Sequence, residues 1–420
     1  MTKLCVRNSS AVVLGCALQA FLVAPTVIAQ HPATGSAASR SSDYLYLWTA
    51  STDTTKADFL AVIDVRPTAG RYGKLIGTVP VPGKFNVPHH SEHSMPADGR
   101  LFVNGFGSGQ SFIFDMRDPA KPVLDGQFGS IGGMMHPHTY VRLPNGNVLA
   151  TFQMQHDAKG EAPGGLAELT NTGKIVRTVS DNVPGIDRRI RPYSAAVVPS
   201  LDRIVTTTTD MDGEAPVNAV QVWRLSDFKL LSTFNLPNGP HGDEGAFTAE
   251  PRLLDDGKTV LVSTFNCGLY LMKDLAGAKP SAQLVSSFPQ KAKTSCAIPV
   301  IAGHFYLVTV PAFSAVVSLD ISNPAKPREV SRMSLNPGDV PHWISIEPNL
   351  ERVVVTGYAD MQNRVVIARF NKETGALTID DRFREEGAKA PGFRMDNKQW
   401  PHGGNVVGIP HGAVFSRAAR

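Results

Sequence analysis

Length, composition and charge describe an ordinary globular protein. The chain has 420 residues, of which 42% are hydrophobic and 19% are charged, and its formal net charge is +4. These values exclude disordered and fibrous proteins and leave enough apolar residues for a large core. No run of Lys and Arg with interleaved aromatic residues occurs, so nucleic acid and anionic membranes are not expected partners. The 37 Gly and 31 Pro residues favour strands and turns over helices.

The first residues have the pattern of an export signal. Lys3 and Arg7 precede an apolar run over residues 11–23, and small residues bracket Val27-Ile28-Ala29 as at a signal-peptidase site. The apolar run is shorter than the roughly 20 residues that a membrane-spanning helix needs. We therefore predict a cleaved signal peptide over residues 1–29, a periplasmic or secreted location, and no integral membrane segment once the signal is removed.

Export would leave two cysteines in the mature protein, because Cys5 and Cys16 lie in the predicted signal. Two thiols in an oxidising compartment are more often paired than free. We predict a disulfide between Cys267 and Cys296, which would stabilise the fold by roughly 3 to 4 kcal/mol in the chain-entropy model. The alternative is that Cys296 is a metal ligand and Cys267 is free.

One strand pattern, in which apolar residues end in Asp, recurs along the chain. The best copies are residues 59–65, 111–116 and 316–321, and the last two continue almost identically over 117–122 and 322–327. Weaker copies share this pattern and lie at residues 165–169, 220–225, 269–275 and 365–370. Successive copies are spaced by roughly 47 to 55 residues, a period typical of propeller blades with four short strands each.

The seven copies predict an all-β fold, a seven-bladed β-propeller. After a flexible segment over residues 30–42, a single domain over 43–420 would be closed by a C-terminal strand at 412–416 that joins the first blade. A solenoid or a pair of β-sandwiches is the alternative fold. The predicted inner strands are residues 94–102, 138–143, 193–198, 246–254, 297–301 and 342–346.

Histidines are concentrated where inner strands are predicted to begin. Five of the twelve histidines lie in the two short segments 87–94 and 135–139. In a propeller, residues that precede or begin inner strands meet at one mouth of the central channel. In this register that set comprises His89, His90, His93, His136, His138, His241, Cys296, His342 and His402.

Convergence of several imidazoles suits a copper or zinc site, whereas magnesium and calcium prefer carboxylates. Asp243, Glu244 and Glu250 would be candidate carboxylates behind the ligands. The alternative is that the histidines cap inner strands and bind channel water. His304 and His411 lie away from this face in the same register and are assigned no function.

Several segments resemble the selenium-binding protein family, which includes methanethiol oxidases. The resemblance is carried by residues 58–65, by Pro80-Val81-Pro82 with the following His89-His90-Ser91, and by His136-Pro137-His138-Thr139. Residues 320–324 also match the broader class of propeller repeats typified by Leu-Val-Ile-Val-Asp.

This resemblance implies a seven-bladed propeller and a copper-dependent conversion of methanethiol to formaldehyde, hydrogen sulfide and hydrogen peroxide. Motif matching implies that copper is bound by His89, His90, His138 (or His136) and His402. The further candidates, which the predicted register supplies, are His93, His136, His241 and His342.

The sequence thus supports two functional hypotheses. The first is an exported propeller oxidoreductase with a His-ligated copper at the channel mouth, acting on a small substrate such as the sulfur compound methanethiol; zinc is the alternative metal. The second is a non-catalytic propeller of Leu-Val-Ile-Val-Asp-type repeats that binds a protein partner or serves as a scaffold.

Overall fold

The computed structural model describes residues 41–157, 160–211, 216–288, 296–357, 364–396 and 398–417. The predicted signal peptide and almost all of the predicted flexible segment lie outside these residues. Within them, no helix has the length and hydrophobicity needed to cross a bilayer.

The described residues form seven antiparallel sheets arranged as the blades of a propeller, as the repeats predicted. The innermost strands of blades one to seven are β31 (Gly408–Phe415), β4 (Pro88–Ser91), β8 (Met134–Arg142), β12 (Ala195–Val198), β16 (Thr248–Leu253), β20 (Pro299–Ala302) and β24 (Pro341–Ile346). The second strands are β1 (Tyr44–Ser51), β5 (Arg100–Gly105), β9 (Val148–Asp157), β13 (Arg203–Thr207), β17 (Val260–Thr264), β21 (Phe305–Val310) and β25 (Arg352–Gly357).

Two further layers complete the blades. The third strands are β2 (Phe59–Asp64), β6 (Gln110–Asp115), β10 (Gly160–Leu169), β14 (Ala219–Arg224), β18 (Gly268–Lys273), β22 (Ala315–Asp320) and β26 (Arg364–Phe370). The outer strands are β3 (Leu75–Pro80), β7 (Val123–Phe128), β11 (Ile175–Ser180), β15 (Leu230–Asn235), β19 (Ser281–Ser287), β23 (Arg328–Ser334) and β27 (Leu377–Ile379). The remaining short elements are β28 (Phe393–Arg394), β29 (Lys398–Gln399), β30 (Asn405–Val406) and the 3-10 helices Pro199–Leu201 and Pro311–Phe313.

The core lies between neighbouring blades. Every residue of β2 is buried, because blades cover both faces of a third strand, whereas outer strand β7 alternates exposed and partly buried residues. Trp48 of the first blade packs on Phe112 and Phe114 of the second, with ring centroids 5.7 and 6.0 Å apart. The apolar third strands that recur in the sequence therefore supply side chains to the core between blades.

The C-terminal strand closes the ring, as predicted. β31 pairs with β1, for example Tyr46 with Val414, and occupies the innermost place in the first blade. It also contacts β24 of the seventh blade and β4 of the second. Strands near the two ends of the described residues thus join in one sheet, and the first blade has no open inner edge.

One predicted inner strand is wrong. The prediction placed it at residues 94–102 in the second blade, but the inner strand is β4, and residue 100 already begins second strand β5. The intervening residues form a turn around Pro96 and Gly99. His89 and His90 therefore lie on the inner strand itself, where they face the channel, instead of on a loop above it.

Candidate metal centre

Five histidines from four inner strands meet in the central channel. His89 and His90 lie on β4, His138 on β8, His342 on β24 and His411 on β31. Four of them are buried, and His342 is partly buried. Because these strands belong to four different blades, blade packing holds the side chains in fixed positions, as a rigid metal site requires.

The rings of this histidine cluster pack against one another. The ring of His89 stacks on those of His90 and His411, with centroids 4.4 and 4.2 Å apart. The ring of His138 lies edge-on to His90 at 4.2 Å, and that of His342 lies 4.6 Å from His411. One ring nitrogen from each of His89, His90 and His411 lies within 4.8 Å of the others, so the three could hold one metal ion.

Backbone carbonyls orient two of these rings. The Nδ1 of His138 lies 2.8 Å from the carbonyl oxygen of Tyr193, and the Nδ1 of His411 contacts the carbonyl oxygen of His89. A carbonyl oxygen only accepts hydrogen bonds, so Nδ1 carries the proton in both rings and the Nε2 lone pair is left to bind a metal. This is the arrangement found behind metal-bound histidines, where a backbone acceptor fixes the tautomer and the ring angle.

Asn104 on β5 ties the two histidine segments together. Its Oδ1 accepts the backbone N–H of His90 at 2.6 Å, and its Nδ2 donates to the carbonyl oxygens of Pro137 and His138 at 2.8 and 3.2 Å. The Asn104 backbone oxygen in turn accepts the indole N–H of Trp48 at 2.7 Å. A single buried amide therefore sets the spacing between the second and third blades at the cluster.

Burial keeps the clustered imidazoles neutral. It lowers the pKa of His138 to about 3 and that of His342 to about 4. Burial, together with the neighbouring histidines, holds the pKa values of His89, His90 and His411 well below the usual range. Neutral imidazole is the form that binds metals, so at pH 7 each ring is ready to act as a ligand.

The structure does not bring every sequence candidate to the cluster. The Nδ1 of His402 lies 2.7 Å from the Thr78 hydroxyl, and its ring packs on Phe59 at 4.7 Å. His402 lies between β29 and β30, a segment that follows the last blade. Its described contacts are thus with the first blade's third and outer strands and include none of the clustered histidines.

Three other candidates have separate surroundings. His241 is exposed, and its backbone N–H donates to Glu244, which caps the local turn. The Nδ1 of His136 lies 3.0 Å from the carbonyl oxygen of Phe106. His93 follows β4 and accepts a hydrogen bond from Arg252 at 2.8 Å. The carboxylates expected behind the metal ligands are likewise engaged elsewhere, in turns and ion pairs.

His411 is the member that the sequence analysis missed. The predicted register placed it away from the channel face, because the C-terminal strand was treated only as a closing strand. The signal was nevertheless present: a closing strand that takes the innermost place in its blade must line the channel. His411 then projects beside His89, and Gly412 passes so close to Ser91 that a Cβ would lie 2.7 Å from the Ser91 nitrogen.

Cys267 and Cys296 form a disulfide. The S–S distance is 2.06 Å and the Cα atoms are 5.1 Å apart. The bond joins the turn after β17 in the fifth blade to the connection that leads into the sixth. This is the pairing expected from the sequence, and it engages Cys296 in a covalent bond instead of metal ligation.

Comparison with known proteins adds to this geometry. No protein-family model matches the chain. A methanethiol oxidase from Hyphomicrobium sp is 27% identical over 256 residues, which cover 54% of this chain and 57% of that protein. One from Ruegeria pomeroyi is 31% identical over 144 residues, or 32% of each chain. The chain is similar to methanethiol oxidases.

The extent of this similarity is limited. A methanethiol oxidase from Danio rerio is 24% identical over 232 residues, or 49% of each chain, so the matches span about half the length of these relatives or less.

Solved structures show the same architecture. A hypothetical selenium-binding protein from Sulfolobus tokodaii superimposes with a TM-score of 0.72 at 19% identity, covering 90% of this chain and 94% of that one. A periplasmic gluconolactonase from Pseudomonas aeruginosa gives a TM-score of 0.63 at 13% identity, covering 90% and 99%. At these identities the likeness concerns the fold alone.

Proposed function

We propose that the protein is an exported propeller oxidoreductase that binds copper through the histidine cluster and oxidises a small substrate, such as methanethiol. The observation that carries the proposal is the mutual approach of His89, His90 and His411 within 4.8 Å, with His138 packed against them. The names of the curated relatives supply the substrate class. The predicted signal peptide and the disulfide support a location outside the cytoplasm.

The donor set fits copper. Neutral imidazole nitrogens suit both copper and zinc, but zinc has no redox chemistry and could not relay electrons from a thiol to oxygen. We propose His89, His90, His138 and His411 as the ligands. When bound, copper would supply one-electron redox chemistry and an affinity for the sulfur atom of a thiol.

The chain's own residues would position that metal and keep the site dry. The carbonyl oxygens of His89 and Tyr193 hold the Nδ1 protons of His411 and His138, so these rings present Nε2. The Thr139 hydroxyl lies 3.1 Å from the Nδ1 of His138 and 3.4 Å from that of His90, and steadies both rings. Burial of the cluster excludes water, which strengthens electrostatic interactions inside the site.

Metal analysis combined with turnover tests the proposal. The full chain, exported through its own leader and purified, would be assayed for copper and zinc, then incubated with methanethiol and oxygen while formaldehyde, sulfide and peroxide are measured. We expect stoichiometric copper and turnover that follows copper and is absent with zinc. Protein that binds neither metal after reconstitution would instead support the non-catalytic binding propeller.

A matched pair of variants separates the site from the fold. His138→Ala removes a buried ring of the cluster, whereas His304→Ala removes an exposed ring on the turn between β20 and β21. We expect copper and turnover to be lost in the first variant and retained in the second. Equal turnover in both variants would contradict the proposal.

A further inference from the structure

A cavity whose wall contains none of the clustered histidines lies at the C-terminal ends of the inner strands. Its volume is ≈ 630 Å³, and it extends to the turns that follow these strands. Its wall is mainly apolar and includes Leu143, Ala196, Leu253, Val300, Ile301 and Ile346. This volume is in the range of small-molecule binding sites, which combine an apolar wall with a few polar groups.

The wall also contains polar side chains, among them the guanidinium of Arg252. Its Nε donates to the carbonyl oxygen of Pro299 at 3.1 Å, and its Nη1 donates to Glu250 at 2.6 Å and to the carbonyl oxygen of Pro251 at 3.1 Å. Its Nη2 donates to the Nε2 of His93 at 2.8 Å. These bonds leave one N–H of Nη2 without an acceptor among the described residues.

An aromatic partition separates the cavity from the histidine cluster. His93 lines the cavity and stacks on Trp343, with ring centroids 4.2 Å apart and planes within 5°. Trp343 is fully buried, and its ring also contacts that of His90 at 4.9 Å. The cavity wall contains none of the clustered histidines, so a molecule in the cavity would occupy a site distinct from the metal centre.

Both guanidiniums in the cavity wall are already paired with carboxylates. Glu250 pairs with Arg252 at 2.6 Å, and Glu92 and Asp98 pair with Arg142 at 2.7 and 3.0 Å. An anionic ligand would bring a further negative charge close to these carboxylates, of which Glu92 and Glu250 are buried. A pure hydrocarbon would desolvate the spare N–H of Arg252 without replacing its hydrogen bond.

We propose that this cavity is a second binding site, which takes a neutral, largely apolar small molecule carrying one hydrogen-bond acceptor, such as a ketone or an ester. The apolar body would lie against the inner-strand ends, and the acceptor oxygen would receive the spare N–H of Arg252. The volume admits a body much larger than methanethiol. The site does not depend on metal binding or on the proposed oxidation.

A fluorescent ketone tests this site directly. The probe is 6-propionyl-2-dimethylaminonaphthalene, which has an apolar ring system, one carbonyl acceptor and emission that shifts to the blue in apolar surroundings. The anionic control is the sulfonate of the same aminonaphthalene. We expect saturable binding of one ketone per chain, about tenfold or more tighter than the sulfonate, in both metal-free and metal-loaded protein. No saturable binding, or tighter binding of the sulfonate, would overturn the proposal.

Two variants locate the probe. Ser94 lines the cavity and is exposed, so Ser94→Trp fills the recess without disturbing the core, and Ser281→Trp places the same side chain at an exposed position on outer strand β19. We expect the first to weaken ketone binding about tenfold or more and the second to leave it unchanged. Unchanged binding in Ser94→Trp would place the probe elsewhere.

Arg252→Lys provides a variant that does not depend on filling the cavity. Lysine keeps a positive charge beside Glu250 but removes the guanidinium fork. We expect ketone binding to weaken about fivefold or more, because the lysine ammonium does not reproduce the Nη2 N–H that the guanidinium presents to the carbonyl. Unaltered ketone affinity in this variant would contradict the role of Arg252. Since all readouts are probe affinities, their outcome is independent of whether the protein oxidises methanethiol.

Discussion

The imidazole of His138, on the inner strand of the third blade, donates its Nδ1 proton to the backbone carbonyl of Tyr193, which leads into the fourth blade, at 2.8 Å. The same carbonyl oxygen accepts the hydroxyl of Thr151 at 2.8 Å. Blade packing thus fixes the angle of a ring that faces the channel. Because the scaffold and not the metal sets this angle, we expect the site to be preformed in metal-free protein.

Removal of single rings tests the ligand assignment. His89→Ala, His90→Ala and His138→Ala should each weaken copper binding by more than the 10–100-fold that is usual for loss of a supporting hydrogen bond. Melting temperatures of the metal-free variants should change little, because the blade cores provide the stability. Copper titration and thermal melts measure the two effects. His304→Ala is the control, and copper binding that survives in the three variants would show that these histidines are structural.

A comparison of His411 with His402 tests which C-terminal histidine serves the metal. Motif matching pointed to His402, whereas the geometry places His411 beside His89 with ring centroids 4.2 Å apart. We expect His411→Ala to lose most of its copper and His402→Ala to retain it, as measured by metal content after dialysis. The reverse result would restore the motif-based assignment and require a rearrangement of residues 398–406.

Asn104 should act as a positioning residue. Asn104→Asp keeps an acceptor for the backbone N–H of His90 but replaces the donor to Pro137 and His138 with a second acceptor. We expect copper affinity to fall about 10–100-fold with every ligand still present. Asn323→Asp, in an exposed turn, should bind copper normally. Copper affinity equal to that of the unaltered protein would show that the amide has no part in the site.

The disulfide should stabilise the fold without serving the metal. Its sequence separation is 29 residues, for which the chain-entropy model gives roughly 3 to 4 kcal/mol. Replacing both Cys267 and Cys296 with Ala should lower the free energy of unfolding by about that amount and leave copper content unchanged. Denaturant unfolding and metal analysis measure the two quantities. Loss of copper in the double variant would revive Cys296 as a ligand.

Asp181 should make the protein less stable as pH rises. Burial raises the pKa of its carboxyl to about 8, and the described contacts give it one hydrogen bond, from Gln221 at 2.6 Å. The folded state thus keeps a proton that the unfolded state releases near pH 4. The contribution of Asp181 to the free energy of unfolding is therefore complete below that pH. It should fall by about 1.4 kcal/mol per pH unit up to about pH 8.

Asp181→Asn removes this titration. Urea unfolding between pH 5 and pH 8 should show a flatter dependence in the variant, which should be the more stable protein at pH 8. Asp255→Asn, at an exposed position, is the control and should retain the original dependence. Parallel curves for the Asp181 variant and the unaltered protein would show that Asp181 is already ionised in the folded state.

The sequence alone determined the architecture and part of the site. Apolar strands ending in Asp recur at a regular spacing because each blade needs one strand that is buried on both faces, as β2 is. Seven such strands therefore predict seven blades. Adjacent residues such as His89 and His90 also stay together in any register, so their pairing was readable without a structure.

Only the tertiary structure decided which distant residues join them. His411 is 321 positions from His90 in the numbering and reaches it because β31 takes the innermost place in the first blade. His402, nine positions earlier, packs instead on Phe59. A period of roughly fifty residues predicts how many blades form. It does not predict the layer that the closing strand occupies, because that depends on the pairing of β31 with β1. This pairing decides which histidines line the channel.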